Sequence, residues 1–415
     1  MKILHLINSD YKGGASRAAL RIHESLLKKK INSYVKISIT NNYKIKNKNI
    51  IKPKLFENYL NKIKSVTETI ISKILSRDSF VKNSISLFPT QHNKYINESN
   101  YDIVHLHWIN GETISIEDIG KITKPIVWTI QDMWPFSGSA HYTLKERYKD
   151  RNFNTKFKIS NNLLNFDIEK FVWKRKIKSW KKNINIVGAS KWLTNCGSKS
   201  FLMKKFSKTT INNTLDTSYW RPQNKNECKK YFNIPENIRL IGFSSLGKNN
   251  SLLKGKDLFL SAVQQIVFHK DKLGIFSIGD KNDFFRLSDN FKFYSIKRLD
   301  NDDMIRKFYN SLDLIVVPSR LEGFGQIASE AISCGVPVVA FNTTGLKDIV
   351  IHKKNGWLAK PYKVKQLAEG IDYILSLKPR FYKEMSSYGI NLAKQKFSYE
   401  IISDKYIKLY QKILS

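Results

Sequence analysis

Short runs of β-branched and apolar residues alternate with longer stretches of helical periodicity through most of the chain. Several runs are apolar throughout, which is typical of strands in a parallel sheet that is covered on both faces. We expect strands at residues 3–7, 34–39, 103–106, 126–130, 184–189, 240–243, 274–278, 312–317 and 336–341. Repeated βα units of this kind predict the α/β class, with open, doubly wound sheets and right-handed crossovers.

The strand–helix units form two series that are separated near residues 212–236. We therefore predict a first Rossmann-like domain at 1–212, a second at 213–396, and a C-terminal helix at 397–415. Two domains also agree with a length of 415 residues at about 150 residues per domain. Ligands of doubly wound sheets bind at the carboxyl ends of the strands, so facing domains would place the site in the cleft between them.

A Lys/Asn-rich insertion at 42–100 interrupts the first series and contains one helical pattern. Its apolar stripe consists of Phe56, Tyr59, Leu60, Ile63, Val66, Ile70, Ile74 and Leu75, with lysines elsewhere around the helix. The favoured interpretation is an ordinary helix that packs its stripe on the core and leaves its lysines in solvent. The alternative is a helix that lies on an anionic membrane.

Two further segments stand out by composition and periodicity. Residues 143–182 are strongly basic and include Trp173 and Trp180, but no nucleic-acid-binding motif accompanies them. We interpret this segment as a loop followed by a solvated helix. Residues 397–414 carry apolar residues at helical spacing, and we expect that helix to pack on a domain surface.

The charge balance is unusual. The chain has 71 Lys and Arg against 35 Asp and Glu, a formal net charge of +36. This predicts attraction to nucleic acid, anionic lipid or phosphorylated substrates. An AT-rich coding sequence is an equally good explanation, because Lys outnumbers Arg and because Asn and Ile are abundant.

Cysteine usage and hydropathy indicate the compartment. Cys196, Cys228 and Cys334 are scattered, which argues for a reducing compartment and against a disulfide framework or a structural metal. The first residues lack an apolar run long enough for a signal peptide, and nowhere do about 18 apolar residues run together. We expect a cytoplasmic protein, with peripheral attachment to the inner face of the plasma membrane as an added option.

The most informative segment for chemistry is 318–339, where a predicted strand runs into a glycine-containing turn and a helix that begins near Gln326. Glu322 stands in the turn and Glu330 lies in the helix. Carboxylates accept paired hydrogen bonds from vicinal diols, and Gly323 and Gly325 let backbone N–H groups approach a ligand. The alternative is that Glu322 complements the helix dipole and that Glu330 is an exposed helix residue.

Weaker signals lie at other predicted strand ends. Gly13 and Gly14 form a loop before a helix, which can accept a phosphate but is neither GxGxxG nor a P-loop. Lys254 precedes Gly255 after another strand and can neutralise a diphosphate as a point charge. His105 and His107 share a face of one strand, and we interpret His105 as structural.

Taken together, these residues resemble the retaining glycosyltransferases of family 4, which have the GT-B fold. The strongest element is a pair of glutamates separated by seven residues, Glu322 and Glu330, within PSRLEGFGQIASEAISCGVPVVA. The Gly13-Gly14 loop, Lys254-Gly255 and the segments 213–222, 344–346 and 355–357 are also similar to family segments. DIVHLHW at 102–108 and TIQDMWPF at 129–136 resemble the subgroup that builds bacterial exopolysaccharide, capsule or O-antigen (lipopolysaccharide).

The resemblance implies a metal-independent hexosyltransferase without a cofactor, whose C-terminal domain binds a nucleotide-sugar and whose N-terminal domain binds the acceptor. The last helix, at 397–415, would cross back onto the N-terminal domain. Glu322 and Lys254 would be the catalytic residues. Glu330 would hold the ribose, and Lys254 the diphosphate. Glu322 would hold the donor sugar together with groups of Gly323, Phe324, Gly325 and Gln326; Gly13, Gly14 and Gln131 complete the implied donor site. The expected acceptor is a glycan or a polyprenyl-diphosphate-linked glycan, and nucleic acid is not an expected partner.

Two positions depart from the family pattern. Gln131 stands where the family often has His, and Lys248 is the nearest cation where the family has Arg before the Lys-Gly pair. Two alternatives remain for function: a GT-B relative such as a nucleotide-sugar epimerase, and a non-catalytic polyanion-binding protein. Product analysis without an acceptor tests the first, and the salt dependence of nucleic-acid binding tests the second.

Overall fold

The chain forms two compact units, each built around its own sheet. A computed structural model describes residues 1–10, 13–41, 48–76, 81–154, 166–244, 252–269, 272–279, 291–296 and 301–415. The first unit consists of Met1–Thr214 together with Tyr399–Ser415, and the second consists of Leu215–Ser398. From the sequence, the boundaries of the second domain are predicted at 212/213 and 396/397. The boundaries of the second unit lie two residues later, at 214/215 and 398/399.

The first unit contains a seven-stranded parallel sheet. Its strands are β1 (Lys2–Ser9), β2 (Asn32–Ile39), β3 (Ile50–Ile51), β4 (Ile103–Leu106), β5 (Ile126–Ile130), β6 (Ile184–Gly188) and β7 (Lys208–Thr210). Their order in the sheet is β3-β2-β1-β4-β5-β6-β7. In register, His5 of β1 lies opposite His105 of β4. The strand order reverses beside β1, so β1 and β4 form the switch point at which doubly wound sheets bind ligands.

The second unit contains a six-stranded parallel sheet of the same topology. Its strands are β8 (Arg239–Ser244), β9 (Leu273–Ile278), β10 (Lys292–Ile296), β11 (Leu314–Val317), β12 (Val338–Phe341) and β13 (Gly356–Ala359). The order is β10-β9-β8-β11-β12-β13, so the switch point lies between β8 and β11. The predicted α/β class and the two doubly wound sheets are therefore confirmed. The facing arrangement and its cleft stay a prediction.

Helices connect the strands of both units. In the first unit they are α1 (Gly14–Lys28), α2 (Leu55–Leu75), α3 (His92–Glu98), α4 (Ile116–Gly120), α5 (Ile168–Ser179) and α6 (Lys191–Lys199). In the second unit they are α7 (Lys225–Tyr231), α8 (Lys256–Gln264), α9 (Asp302–Ser311), α10 (Gln326–Ser333), α11 (Val364–Leu375) and α12 (Pro379–Phe397). The last helix, α13 (Tyr399–Leu414), belongs to the first unit.

The C-terminal helix α13 closes one face of the first sheet. Its buried residues Ile402, Tyr406 and Tyr410 pack with Ile3 and Val127 of the sheet. A chain of hydrogen bonds adds polar anchoring. The Tyr410 hydroxyl lies 2.7 Å from His105 Nδ1, His105 Nε2 lies 2.7 Å from Thr129 Oγ1, and that hydroxyl lies 2.9 Å from the Tyr406 hydroxyl. The expectation that this helix packs on a domain surface is confirmed.

The expectation that the stripe of α2 packs on the core is wrong. Phe56 is 74% exposed, and the side chains that share its face also point away from the protein. We call this set the α2 stripe: Leu55, Phe56, Tyr59, Leu60, Ile63, Val66, Ile70 and Ile74. The buried positions of the helix are polar instead. They are Asn58, Asn61, Glu68 and Ser72. Leu75, which was expected in the stripe, is half-buried.

The interpretation of residues 143–182 as loop and solvated helix needs correction in one respect. Trp173 and Lys176 of α5, and Trp180 directly after the helix, are almost completely buried. These indole rings are therefore unavailable for stacking on nucleic-acid bases, which requires exposed aromatic faces. Residues 155–165 of this segment lie outside the described residues.

Across the described parts of the chain, we find no helix whose length and hydropathy would let it cross a bilayer.

We expect the Tyr410→Phe substitution to destabilise the first unit by about 1–3 kcal/mol, because it leaves the buried His105 Nδ1 without its hydroxyl partner. Denaturant unfolding measures the change. Tyr388→Phe is the matched control, since Tyr388 is 40% exposed on α12. Equal stability of the two variants would contradict the anchoring role of the Tyr410 hydroxyl.

Candidate functional site

The loop between β11 and α10 carries the predicted glutamate pair. The buried strand β11 ends at Val317, and α10 begins at Gln326 after Gly325, whose φ of 107° lies in the left-handed region. Glu322 lies within this loop and is braced by the following loop of the sheet. Its backbone N–H donates to Thr344 Oγ1 at 3.2 Å, and its carbonyl accepts from the Gly345 N–H at 3.0 Å. The turn is therefore held at the carboxyl end of β11.

Lys254 and Glu322 form an ion pair across the switch point. Lys254 Nζ lies 2.6 Å from Glu322 Oε2, and the Ser319 hydroxyl donates to the same oxygen at 3.2 Å. Both charged side chains are largely but not fully buried. The structure thus brings two of the predicted site residues into direct contact, with a cation and a carboxylate at one point of the sheet edge.

The contact depends on a close backbone approach at Gly255. This residue has φ 70° and precedes α8, and a Cβ atom there would lie 2.0 Å from the Pro318 carbonyl oxygen. The Arg320 N–H also donates to the Leu253 carbonyl at 2.8 Å. The loop before α8 therefore lies against the end of β11 at a distance that only glycine permits.

Glu330 is buried rather than exposed. It lies in α10, is 1% exposed, and its Oε2 accepts a hydrogen bond from the Tyr309 hydroxyl at 2.8 Å. The alternative interpretation of Glu330 as an exposed helix residue is therefore wrong. A buried carboxylate with a fixed phenol donor has a set orientation, which is what recognition of a diol requires.

The remaining predicted residues of this loop contribute backbone rather than side chains. Phe324 is buried and packs edge-on against Phe397, with ring centroids 5.5 Å apart. Gly323 lies close to Gly345, since a Cβ on Gly345 would meet the Gly323 oxygen at 2.4 Å. Gln326 opens α10, whose first N–H groups carry the positive end of the helix dipole.

Gly13, Gly14 and Gln131 belong to the first unit. Gly13 precedes α1 with φ 88°, and Gly14 is the first residue of that helix. Gln131 follows β5 and forms a reciprocal amide pair with Asn213, with both N–H···O distances at 2.9 Å. The amide of Gln131 is therefore oriented by a second amide, at the position where the resemblance implies a histidine.

A polar chain lies beside Gln131 at the end of β5. Asp132 Oδ2 accepts from Trp108 Nε1 at 2.9 Å and lies 2.6 Å from His141 Nδ1, while His141 Nε2 lies 2.9 Å from Ser84 Oγ. Burial acts to raise the pKa of Asp132, but the neighbouring His141 and the hydrogen bonds outweigh it and hold this pKa below its ordinary value. The order of these three groups is that of a serine–histidine–aspartate triad, and the Ser84 side chain is fully buried.

Lys176 holds the loop that follows Gln131 and was missed in the sequence. Its ammonium donates to the carbonyls of Trp134, Ser137 and Gly138 at 2.5, 3.1 and 2.8 Å, and it lies 3.7 Å from the Trp134 ring centroid. Burial lowers the pKa of this lysine well below its ordinary value. In a chain so rich in lysine, composition offers no signal that singles out one buried member.

A buried histidine cluster underlies the switch point of the first sheet. His5, His105 and His107 each offer a ring nitrogen within 4.8 Å of the others, and His5 Nδ1 lies 2.8 Å from His107 Nε2. Burial lowers the pKa of all three, to about 3 for His107, so the rings are neutral at neutral pH. His105 bonds Tyr410 and Thr129, in keeping with the structural interpretation. The contact between His5 and His107 was not predicted, because these residues lie 102 positions apart in the sequence.

Lys248, the nearest cation before Lys254, lies in the segment 245–251, outside the described residues.

Comparisons with known proteins address the second unit most directly. Residues 249–392 match the family model "Glycosyl transferases group 1". The matched segment lies in the second unit and includes Lys254, Glu322 and Glu330. An uncharacterised glycosyltransferase of Methanocaldococcus jannaschii is 32% identical over 168 residues, 38% of this chain and 42% of that protein.

The capsular polysaccharide biosynthesis glycosyltransferase CapM of Staphylococcus aureus is 30% identical over 135 residues, 32% of this chain and 34% of CapM. The chain thus spans less than half the length of these curated relatives. The crystal structure of Anabaena HepE in complex with UDP and glucose superposes with a TM-score of 0.65 at 16% identity and covers 99% of both chains. This likeness shows the fold, and the two Rossmann-like sheets are those of the GT-B class.

We expect acidification to destabilise the first unit between pH 6.5 and about pH 3. The unfolded chain protonates its histidines near pH 6.5, whereas His107 in the folded protein resists protonation down to about pH 3. The stability that a buried neutral histidine contributes is thus fully present above pH 6.5, and below it falls by up to about 1.4 kcal/mol per pH unit. Denaturant unfolding at pH 7, 6 and 5 measures the slope. His107→Gln should reduce it, and His269→Gln, at an exposed position, should not.

We expect Gly255→Ala to displace the Lys254 loop and to destabilise the second unit by more than 2 kcal/mol, roughly the strain of a left-handed residue plus a steric clash. Thermal unfolding measures the loss. Gly13→Ala is the matched control, because its φ is also positive but a Cβ there meets nothing within 4 Å. Equal losses would show that backbone strain alone, and not the approach to Pro318, matters at Gly255.

Proposed function

We propose that the chain is a retaining group 1 glycosyltransferase that moves a sugar from a nucleotide-sugar to a glycan or lipid-linked glycan acceptor. The observation that carries the proposal is the Lys254–Glu322 pair at the carboxyl end of β11, inside the segment that matches the family model. An ion pair at a switch point offers a cation for a diphosphate and a carboxylate for sugar hydroxyls.

The donor would occupy the carboxyl edge of the second sheet. The ammonium of Lys254 exchanges its carboxylate partner for the diphosphate, and the Glu322 carboxylate is then released to accept from hydroxyls of the donor sugar. Glu330, oriented by Tyr309, accepts from the two ribose hydroxyls. HepE binds UDP. We therefore propose a UDP-sugar as the first donor to test with this chain.

The reaction needs no protein nucleophile and no metal ion in this proposal. The bond between the anomeric carbon and the diphosphate oxygen breaks, and the acceptor oxygen attacks from the same face, so that the anomeric configuration is retained. The leaving phosphate takes the acceptor proton. Lys254 and the N-terminus of α10 stabilise the charge that grows on the diphosphate.

The acceptor would bind the first unit near Asp132 and Trp108, beside Gln131, which the resemblance assigns to the donor site. These residues lie at the ends of β4 and β5, where hydrogen bonds orient the Asp132 carboxylate and the Trp108 indole. The Gln131 amide presents a donor and an acceptor but no ionisable proton, so it recognises hydroxyls without taking part in proton transfer.

The proposed context is synthesis of a bacterial surface polysaccharide at the cytoplasmic face of a membrane. It is supported by the resemblance of residues 102–108 and 129–136 to that subgroup and by the similarity to CapM. A lipid-diphosphate acceptor would suit a strongly basic protein, since its headgroup is anionic.

Lys254→Ala should lower kcat/KM for sugar transfer at least 100-fold, about 2.7 kcal/mol of transition-state stabilisation. The assay offers UDP-, GDP-, ADP- and CMP-sugars with a glycan acceptor and detects the product by mass. Lys365→Ala, at an exposed position of α11, removes the same charge and should keep full activity.

Glu330→Gln separates donor binding from folding, because glutamine still accepts from Tyr309. A nucleotide-sugar at about 100 times its Kd stabilises the wild type by about 2.7 kcal/mol, and this shift should disappear in the variant. Wild-type activity in both the Lys254 and Glu330 variants would refute the site. An epimer formed without any acceptor would refute transfer.

A further inference from the structure

Helix α2 is mounted with its polar side toward the protein and its apolar side outward. The buried residues of the helix are Asn58, Asn61, Glu68 and Ser72, and the exposed ones form the α2 stripe. A surface helix ordinarily shows the opposite arrangement, with the apolar side on the core. The inversion is thus a property of this helix that needs its own explanation.

Hydrogen bonds to the end of β2 fix the first half of α2 in this orientation. Asn58 Oδ1 accepts from the Thr40 N–H at 2.9 Å, and Asn58 Nδ2 donates to the Thr40 carbonyl at 2.9 Å. Asn61 Nδ2 donates to the Ser38 carbonyl at 2.9 Å. Rotating the helix to bury the stripe would leave these buried groups unpaired, which is costly.

A carboxylate anchors the second half of the helix. Glu68 Oε1 accepts from the N–H groups of Ile85 and Ser86 at 2.6 and 2.9 Å. Glu112 accepts in the same way from the next two N–H groups, and burial together with the nearby Glu68 raises the pKa of Glu112. The inner side of α2 is therefore tied by polar contacts along most of its length.

The outer side exposes more apolar surface than an isolated protein usually tolerates. Eight large side chains are involved, with Ile63 45% exposed and Ile70 54% exposed. Contiguous apolar patches on monomeric proteins usually span only a few hundred Å². Within the described parts of the chain nothing packs over the stripe.

Lysines border the stripe on both sides. At 100° per residue, Lys62 and Lys73 lie along one edge of the exposed arc and Lys64 lies along the other. The Lys64 ammonium reaches back to the Pro89 carbonyl at 3.1 Å. Long lysine stems can lie on an apolar surface while their charges stay in a polar layer.

Helix α5, which carries a second set of basic residues, is hydrogen-bonded to the same backbone segment at residues 85 and 86. Arg175 of α5 donates to the carbonyls of Ile85 and Ser86 at 2.8 Å each, while Glu68 of α2 binds their N–H groups. Along α5, a groove of about 640 Å³ is lined mainly by the cations Arg151, Lys170, Lys174, Lys178 and Lys181. Helices α2 and α5 are therefore both bonded to residues 85 and 86.

We propose that the α2 stripe is a docking surface for a bilayer that contains anionic lipid. Helix α2 has 21 residues, about 30 Å at 1.5 Å per residue, and would lie in the membrane plane. The stripe enters the boundary between headgroups and acyl chains, and Lys62 and Lys73 at its edge meet lipid phosphates. The inference deepens the membrane context of the proposed function by naming the surface, but it does not depend on sugar transfer.

A second copy of the chain fits this surface less well. A two-fold pairing of α2 stripes brings like-charged edges together, because Lys62, Lys64 and Lys73 border the stripe on both sides. Like charges across an interface oppose association. An anionic bilayer has the opposite charge and accepts a single helix without any matching surface.

The experiment measures co-sedimentation of the full chain with vesicles of phosphatidylcholine alone or with 30% phosphatidylglycerol. We expect binding to the anionic vesicles, weakened by salt, and at least 10-fold weaker binding of Ile63→Gln/Ile70→Gln to them. Lys62→Gln/Lys73→Gln should weaken the anionic binding about 10-fold. The control Val267→Gln/Phe381→Gln removes exposed apolar residues elsewhere and should bind like the wild type.

Three outcomes would overturn the inference: no vesicle binding by the wild type, equal binding by the stripe and control variants, or a dimer in solution that dissociates in Ile63→Gln/Ile70→Gln. Unchanged thermal unfolding of each variant shows that the fold is intact. Stabilisation by a nucleotide-sugar, measured on the same variants without vesicles, should equal that of the wild type. Failure of docking and failure of the transferase proposal are therefore separable.

Discussion

The backbone contact between Gly255 and Pro318 is the constraint on which the second unit's site depends. It brings the loop after β8 against the end of β11, so that a lysine and a glutamate 68 residues apart in sequence come within 2.6 Å. The braces from Thr344 and Gly345 fix the same turn from the next strand connection. Side-chain chemistry at this edge is thus a consequence of three loops that are held together by backbone geometry.

Much of the fold follows from hydrophobic pattern alone. All nine predicted strands are present, because buried parallel strands carry apolar runs that are visible without context. The four strands that were missed, β3, β7, β10 and β13, are short or half-exposed, or contain charged residues, as Lys208 and Lys292 show. Such segments become strands because a neighbouring strand offers hydrogen bonds, which is tertiary information.

The site was predictable in its residue types but not in its contacts. The spacing of Glu322 and Glu330 is local, whereas the burial of Glu330 depends on Tyr309 in another helix. The orientation of α2 shows the same limit. Its apolar residues and its buried amides Asn58 and Asn61 both recur at helical spacing, so periodicity defines two opposite faces without saying which one meets the protein.

The position of α13 also bears on how the chain is made. Val127 and the other buried residues of the first sheet are covered by a helix that lies beyond the whole second unit in sequence, with His105 bonded to Tyr410 across 305 positions. During synthesis, one face of the first sheet therefore remains uncovered until residues 399–414 leave the ribosome. The second unit is continuous in sequence and can complete its core earlier, so synthesis from the N-terminus finishes the two units in reverse order.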